Sequence, residues 1–132
     1  MTAPSMTSTS LSFIAIEWAA LIGDGTGGSG VDSYNAQYAA AGSGSWIELV
    51  GQDGAFAVTL SYNFTTASAG SSYDFRVRAH NVHGWGLWSD TTTIQAANVP
   101  SKPNQATTAF SDASVRISWV APSNNFKTIT AY

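Results

Sequence analysis

Few side chains in this sequence could do covalent or acid–base chemistry, and they do not cluster. Serine is abundant, yet no Gly-x-Ser-x-Gly elbow and no plausible His/Asp set accompanies one. The carboxylates Asp24, Asp32, Glu48, Asp53 and Asp74 are scattered, with no acidic cluster readable from their spacing. The run Asp24-Gly-Thr-Gly-Gly-Ser-Gly30 is glycine-rich, but no Lys-Ser/Thr and no helix pattern follows, so it lacks the setting of a phosphate loop. His80 and His83 share one turn without an evident third ligand, so no metal site is expected. There are no cysteines, which removes disulfides, thiolate ligands and thiol catalysis. The expectation is a non-catalytic chain with no cofactor.

Two other features carry chemistry of a different kind. Arg76 and Arg78 are two apart, and Trp85 and Trp88 follow within the same stretch. On a strand, residues two apart point the same way. Indoles from a neighbouring strand could then stack between the guanidiniums, each cation–π contact being worth about 0.5–1 kcal/mol when exposed. Asn63-Phe64-Thr65 is an N-glycosylation sequon. Strand parity sets Asn63 opposite Tyr62 and Phe64, hence outward.

These residues need strands to position them. From Tyr73 to His80, Tyr73, Phe75, Val77 and Ala79 alternate with Asp74, Arg76, Arg78 and His80, the pattern of a half-buried antiparallel strand. Asn81–Gly86 supplies a turn, and Trp88 begins a return strand ending near Ala96. Upstream, residues 1–10 read as a leader or irregular first strand. Strands are expected over Leu11–Trp18, Val31–Tyr38, Trp46–Val50 and Phe56–Phe64, with no helix anywhere. Seven short strands at near-regular spacing imply an all-β, immunoglobulin-like sandwich.

Ala97-Asn-Val-Pro-Ser-Lys-Pro103 reads as a semi-rigid spacer, after which the pattern restarts. Val115-Arg-Ile-Ser-Trp119 echoes Ile14-Ala-Ile-Glu-Trp18, and Thr128–Tyr132 echoes Gly30–Tyr34, roughly 100 residues on. The division is therefore 1–97 as one domain, 98–103 as linker and 104–132 as the N-terminal part of a second copy.

Charged residues make up only 10% of the 132 residues and net charge is −3, so nothing favours nucleic acid. No apolar run is long enough to span a membrane. The start, Met-Thr-Ala-Pro-Ser, lacks the regions of a signal peptide. A weakly charged polar surface suits a glycosylated or assembled protein.

With these elements in place, the chain resembles the fibronectin type III family. Trp18, Tyr34, the run Tyr73-Asp-Phe-Arg-Val-Arg-Ala-His-Asn81, Gly84, Trp88-Ser89 and Val99-Pro-Ser-Lys-Pro103 carry the likeness. It spans residues 5–97, with 98–132 as a truncated second copy. Ala67 departs from the pattern, standing where the family usually has a core leucine. Asn-Val-His-Gly-Trp-Gly and the Pro-Ser-Lys-Pro linker are also similar to tandem arrays of large ciliate surface proteins. The resemblance implies a structural core of Trp18, Tyr34, Tyr73, Phe75 and Trp119. It makes Tyr73 a tyrosine-corner residue bonded back to the preceding turn. Truncating Trp18 or Tyr73 to alanine should then cost about 3–5 kcal/mol. Trp85-Gly-Leu-Trp88-Ser89 resembles the Trp-Ser-x-Trp-Ser motif of cytokine-receptor modules, with glycine in place of the first serine. It also resembles the C-mannosylation pattern, with Trp85 as acceptor.

The functional expectation is a structural module of an extracellular or cell-surface fibre or scaffold, partnered by neighbouring domains or copies of itself and self-assembling through open strand edges. Other surface proteins or glycans are further partners. Two alternatives stand beside it: a recognition module using the Arg76/Arg78/Trp85/Trp88 face, and an accessory domain of a secreted carbohydrate-active enzyme.

Overall fold

A computed structural model describes residues 1–132. Two antiparallel sheets face each other. The smaller one runs β1 (Ser5–Thr9), β2 (Ile14–Glu17) and β5 (Ser61–Phe64), in that spatial order. The larger contains β3 (Val31–Ala40), β4 (Ile47–Val50), β6 (Ser72–Asn81), β7 (Gly84–Trp85) and β8 (Thr92–Gln95). Its order is β4-β3-β6, with β7 and β8 both pairing with β6.

Alternation explains the core. Phe75, Val77 and Ala79 of β6 point inward beside Tyr34 and Ala36 of β3. Against them pack Ile14 and Ile16 of β2, Trp18, Phe64, Ala67, Ile94 and Ala96. Tyr38 and Tyr73 close one end, each ring lying against Phe64. The indole N–H of Trp18 is buried without an acceptor, an uncommon orphan in a native core. Tyr34 is tied at its far end, where its hydroxyl accepts the Leu21 N–H at 2.9 Å.

Several element boundaries differ from expectation. The opening residues do form a strand, β1, while Ser10–Phe13 is a turn closed by Ser10 N–H donating to the Phe13 carbonyl. Of the strand expected over Phe56–Phe64, only Ser61–Phe64 forms. The reason is local competition. The Ala57 N–H donates to Ser33 Oγ and its carbonyl accepts the Tyr34 N–H, so this segment crosses between the sheets instead of lengthening β5. The return strand expected from Trp88 begins only at Thr92, as β8, and the short β7 lies within the segment expected to be a turn. Ser89 fills the gap, its N–H donating to the Val77 carbonyl and its Oγ accepting the Val77 N–H. There is no α-helix, only a single 3-10 turn at Gly23–Thr26, and no helix is long and apolar enough to cross a membrane.

Beyond the proline-containing segment, β9 (Thr107–Ser111) and β10 (Ser114–Ser118) form an isolated hairpin. Its apolar residues Phe110, Val115 and Ile117 are exposed. Trp119, placed in a core by the sequence reading, is 55% exposed. The hairpin has no facing sheet, so there is nothing for that indole to be buried against. Thr128–Tyr132 is not a strand here.

A tryptophan–arginine ladder as candidate functional site

The outward residues of β6 and β3 form the most organised surface of the molecule. Register brings Asn35 directly opposite Arg78, and Gln37 opposite Arg76. On the far side of β3, Gln37 lies opposite Glu48 of β4. The amides link the charges. Glu48 Oε2 accepts from Asn35 Nδ2 and Glu48 Oε1 from Gln37 Nε2, both at 2.6 Å. With their N–H groups turned to the carboxylate, the amide oxygens face the arginines. Gln37 Oε1 accepts from Arg76 Nε and Nη2 at 3.0 and 2.7 Å, and Asn35 Oδ1 from Arg78 Nε at 3.2 Å. One carboxylate thus orients two guanidiniums through two amides.

Indoles cover the guanidinium faces. Arg76 lies 4.0 Å from the Trp46 ring centre and 4.1 Å from that of Trp88. Arg78 lies 4.3 Å from Trp88 and 4.4 Å from Trp85. The stack runs Trp46, Arg76, Trp88, Arg78, Trp85, so Arg76, Arg78, Trp85 and Trp88 meet, and Trp46 joins them. Burial between the rings lowers the Arg76 pKa from the ordinary arginine value; neighbouring Arg78 lowers it further and Glu48 opposes both. The Arg76 guanidinium remains charged at neutral pH, as arginines do in proteins.

The ladder ends in an aromatic corner. Trp85 Nε1 donates to Asp53 Oδ1 at 2.7 Å, and the ring meets Phe56 and His80 near edge-on. His80 Nδ1 is 2.6 Å from Asp32 Oδ1. His83 is exposed in the turn, and no group of three or more His, Cys, Asp or Glu side chains comes together to hold a metal. Beside this corner a cleft of about 460 Å3 opens between the Gly25–Gly27 loop and the turn carrying His83 and Leu87.

Trp46 was the member missed by sequence reasoning. It lies 30 residues before Arg76 and enters the stack only because β4 sits next to β3, and β3 next to β6. Nothing in local spacing carries that adjacency; the available signal was a third tryptophan at the start of a short strand.

The remaining residues singled out from sequence lie elsewhere. Asn63 is exposed on β5, an edge strand. Trp18, Tyr34 and Phe75 are buried, and the Tyr73 hydroxyl accepts the Ser68 N–H of the preceding turn at 2.9 Å. The ladder contains no nucleophile and no free general base. Its chemistry is that of guanidiniums stacked between indoles above a hydrogen-bonded amide layer.

Comparison with known proteins agrees with this architecture. Residues 2–95 match the model of the fibronectin type III domain. The sixth fibronectin type III domain of human fibronectin type III domain containing protein 3 is similar at 22% identity and TM-score 0.61, over 76% of this chain and 89% of that one. Domains A168–A170 of titin match at 24% identity and TM-score 0.57, over 72% of this chain and 32% of that chain. Module A71 of titin from human cardiac muscle matches at 20% identity and TM-score 0.56, over 70% and 86%. At these identities the structural likeness speaks for fold. Together with the ladder, the inward face of β6 and the Tyr73 corner, the match over residues 2–95 places this chain in the fibronectin type III domain family, whose members are generally non-catalytic interaction and structural modules found in repeats.

Proposed function

We propose that this chain is a non-catalytic structural piece of a tandem-repeat protein that forms an extracellular or cell-surface fibre or scaffold. The observation carrying this reading is the restart after the linker. The β9–β10 hairpin repeats the alternation of β1–β2, with Val115, Ile117 and Trp119 in the order of Ile14, Ile16 and Trp18. A hairpin with an exposed apolar face and open edges favours assembly with further strands, from a neighbouring domain or another copy. The sparsely charged surface, the outward Asn63 sequon and the Trp85-x-x-Trp88 pattern suit a glycosylated exterior. The test is imaging of native material together with mass spectrometry. Filaments carrying glycan at Asn63 or hexose on Trp85 are expected. Dispersed single molecules with both residues unmodified would remove the reading.

A second reading is supported by the ladder itself, an ordered aromatic and cationic face pointing away from the core. It makes the chain a recognition module for another surface protein or a glycan. Under it, Trp85→Ala abolishes partner capture while the fold persists, with a stability loss that comprises its cation–π contact to Arg78, about 0.5–1 kcal/mol, its bond to Asp53 and its ring contacts with Phe56 and His80. Capture unaffected by Trp85→Ala leaves the ladder as a brace only.

A further inference from the structure

We propose that one end of the first unit, built from the Ser68–Ser71 turn and residues 97–101, is a receptor for an aromatic-bearing loop of the unit that follows it, locking consecutive units at a fixed angle. The inference rests on the tandem-repeat reading above and supplies its contact surface.

The socket is open on one side, leaving Phe126 52% exposed, and its floor is glycine. Gly70 N–H donates to the Ala96 carbonyl at 2.8 Å, and the Gly70 carbonyl accepts from Gln95 Nε2 at 2.9 Å, so the turn is tied to the end of β8. The Phe126 ring lies on this glycine: a Cβ built there would sit 2.5 Å from its Cδ1 and 2.7 Å from its Cε1. Any side chain at position 70 would push the ring out. Gly70 also has φ +78°, a conformation glycine adopts freely.

The loop is held by the linker backbone. Asn98 N–H donates to the Asn125 carbonyl at 3.2 Å, Ser101 N–H to the Ser123 carbonyl at 2.9 Å, and Asn125 Nδ2 to the Val99 carbonyl at 2.6 Å. Within the loop, Phe126 N–H donates to Asn124 Oδ1 at 3.1 Å and Lys127 N–H to the Asn124 carbonyl at 3.0 Å. Asn125 and Phe126 have φ of +46° and +68°. Asparagine tolerates that region, whereas a bulky residue there is an outlier. Such strain persists where the surroundings over-determine the geometry. Here the surroundings are the glycine floor and the linker carbonyl, both outside the loop's own unit. The partner surface is therefore a unit of the same fold whose loop after its second strand carries a Ser-Asn-Asn-Phe run.

The experiment is amide hydrogen exchange by NMR on the 132-residue chain. The Asn98 and Ser101 N–H groups bond to loop residues, so they report the lock directly. They are expected to be protected. Phe126→Ala and Asn125→Ala should each speed their exchange about tenfold or more, with Phe75 and Val77 in the core unchanged. Exchange of Asn98 and Ser101 at free-peptide rates in the unaltered chain, or no response to either variant, overturns the proposal. A measurement needing no variant runs in parallel. Residual dipolar couplings from β3 and β6 should share one alignment tensor with those from β9 and β10; two independent tensors overturn the lock. A free linker would still permit arrays, and absence of filaments would leave the protection of Asn98 untouched, so the two readings fail separately.

Discussion

The Tyr73 hydroxyl is a single atom that ties the turn before β6 to the sheet. Its bond from the Ser68 N–H adds to the backbone bonds of that corner, Ser71 N–H to the Ser68 carbonyl and Gly70 N–H to the Ala96 carbonyl. Tyr73→Phe keeps the ring against Phe64 and removes only that bond. The expected loss is about 0.5–1.5 kcal/mol, read as a lower urea midpoint with unchanged slope. Gly51 is constrained more tightly. At φ +80°, a Cβ there would collide with the Tyr34 carbonyl, so this position admits only glycine without moving β3. The two residues differ in how visible they are. Tyr73 belongs to an alternating run that can be read from the sequence. Gly51 is one of 12 glycines, and its need appears only when a strand 17 residues away is brought against it.

At the scale of elements, the ladder is a product of strand order. Trp88 covers both guanidiniums, whereas Trp46 and Trp85 each cover one. Trp88→Ala should therefore destabilise more than Trp46→Ala, by at least one cation–π contact or about 0.5–1 kcal/mol. A double-mutant cycle on Trp46 and Arg76 should give a coupling of the same size, measured by chemical denaturation. A coupling of zero would mean that Trp46 merely lies nearby. The polar layer beneath is sensitive in another way. Glu48→Ala removes the acceptor of the Gln37 amide, while Asn35 Nδ2 keeps its bond to the Val50 carbonyl, so the orientation of Arg76 should loosen more than that of Arg78. The arginine pair and two of its tryptophans were legible from alternation and proximity in sequence. The amide relay was not, because it requires the pairing of β3 with β4 on one side and β6 on the other.

At the scale of the whole molecule, stability should reside in the first unit. The two packed sheets lie within residues 1–97, while the β9–β10 hairpin buries no apolar face. A two-stranded hairpin is marginal alone in water. Residues 1–97 should therefore unfold cooperatively, within about 1 kcal/mol of the 132-residue chain, since all that is lost is a surface contact. Residues 104–132 alone should show no stable strand signal by circular dichroism. A large loss in the shortened chain would instead show that the Phe126 loop carries part of the first unit's stability.

Sequence by itself determined the family of fold, the inward face of β6 and the outward placement of Asn63, because strand alternation is local and leaves a period of two in the residues. Tertiary structure alone decided that Ala57 would cross between the sheets, that Trp46 would complete the ladder, and that Phe126 would rest on Gly70. Each of these depends on contacts between segments far apart in the chain. Such contacts are set by sheet order, register and close backbone approach, none of which leaves a periodic trace in the residues themselves.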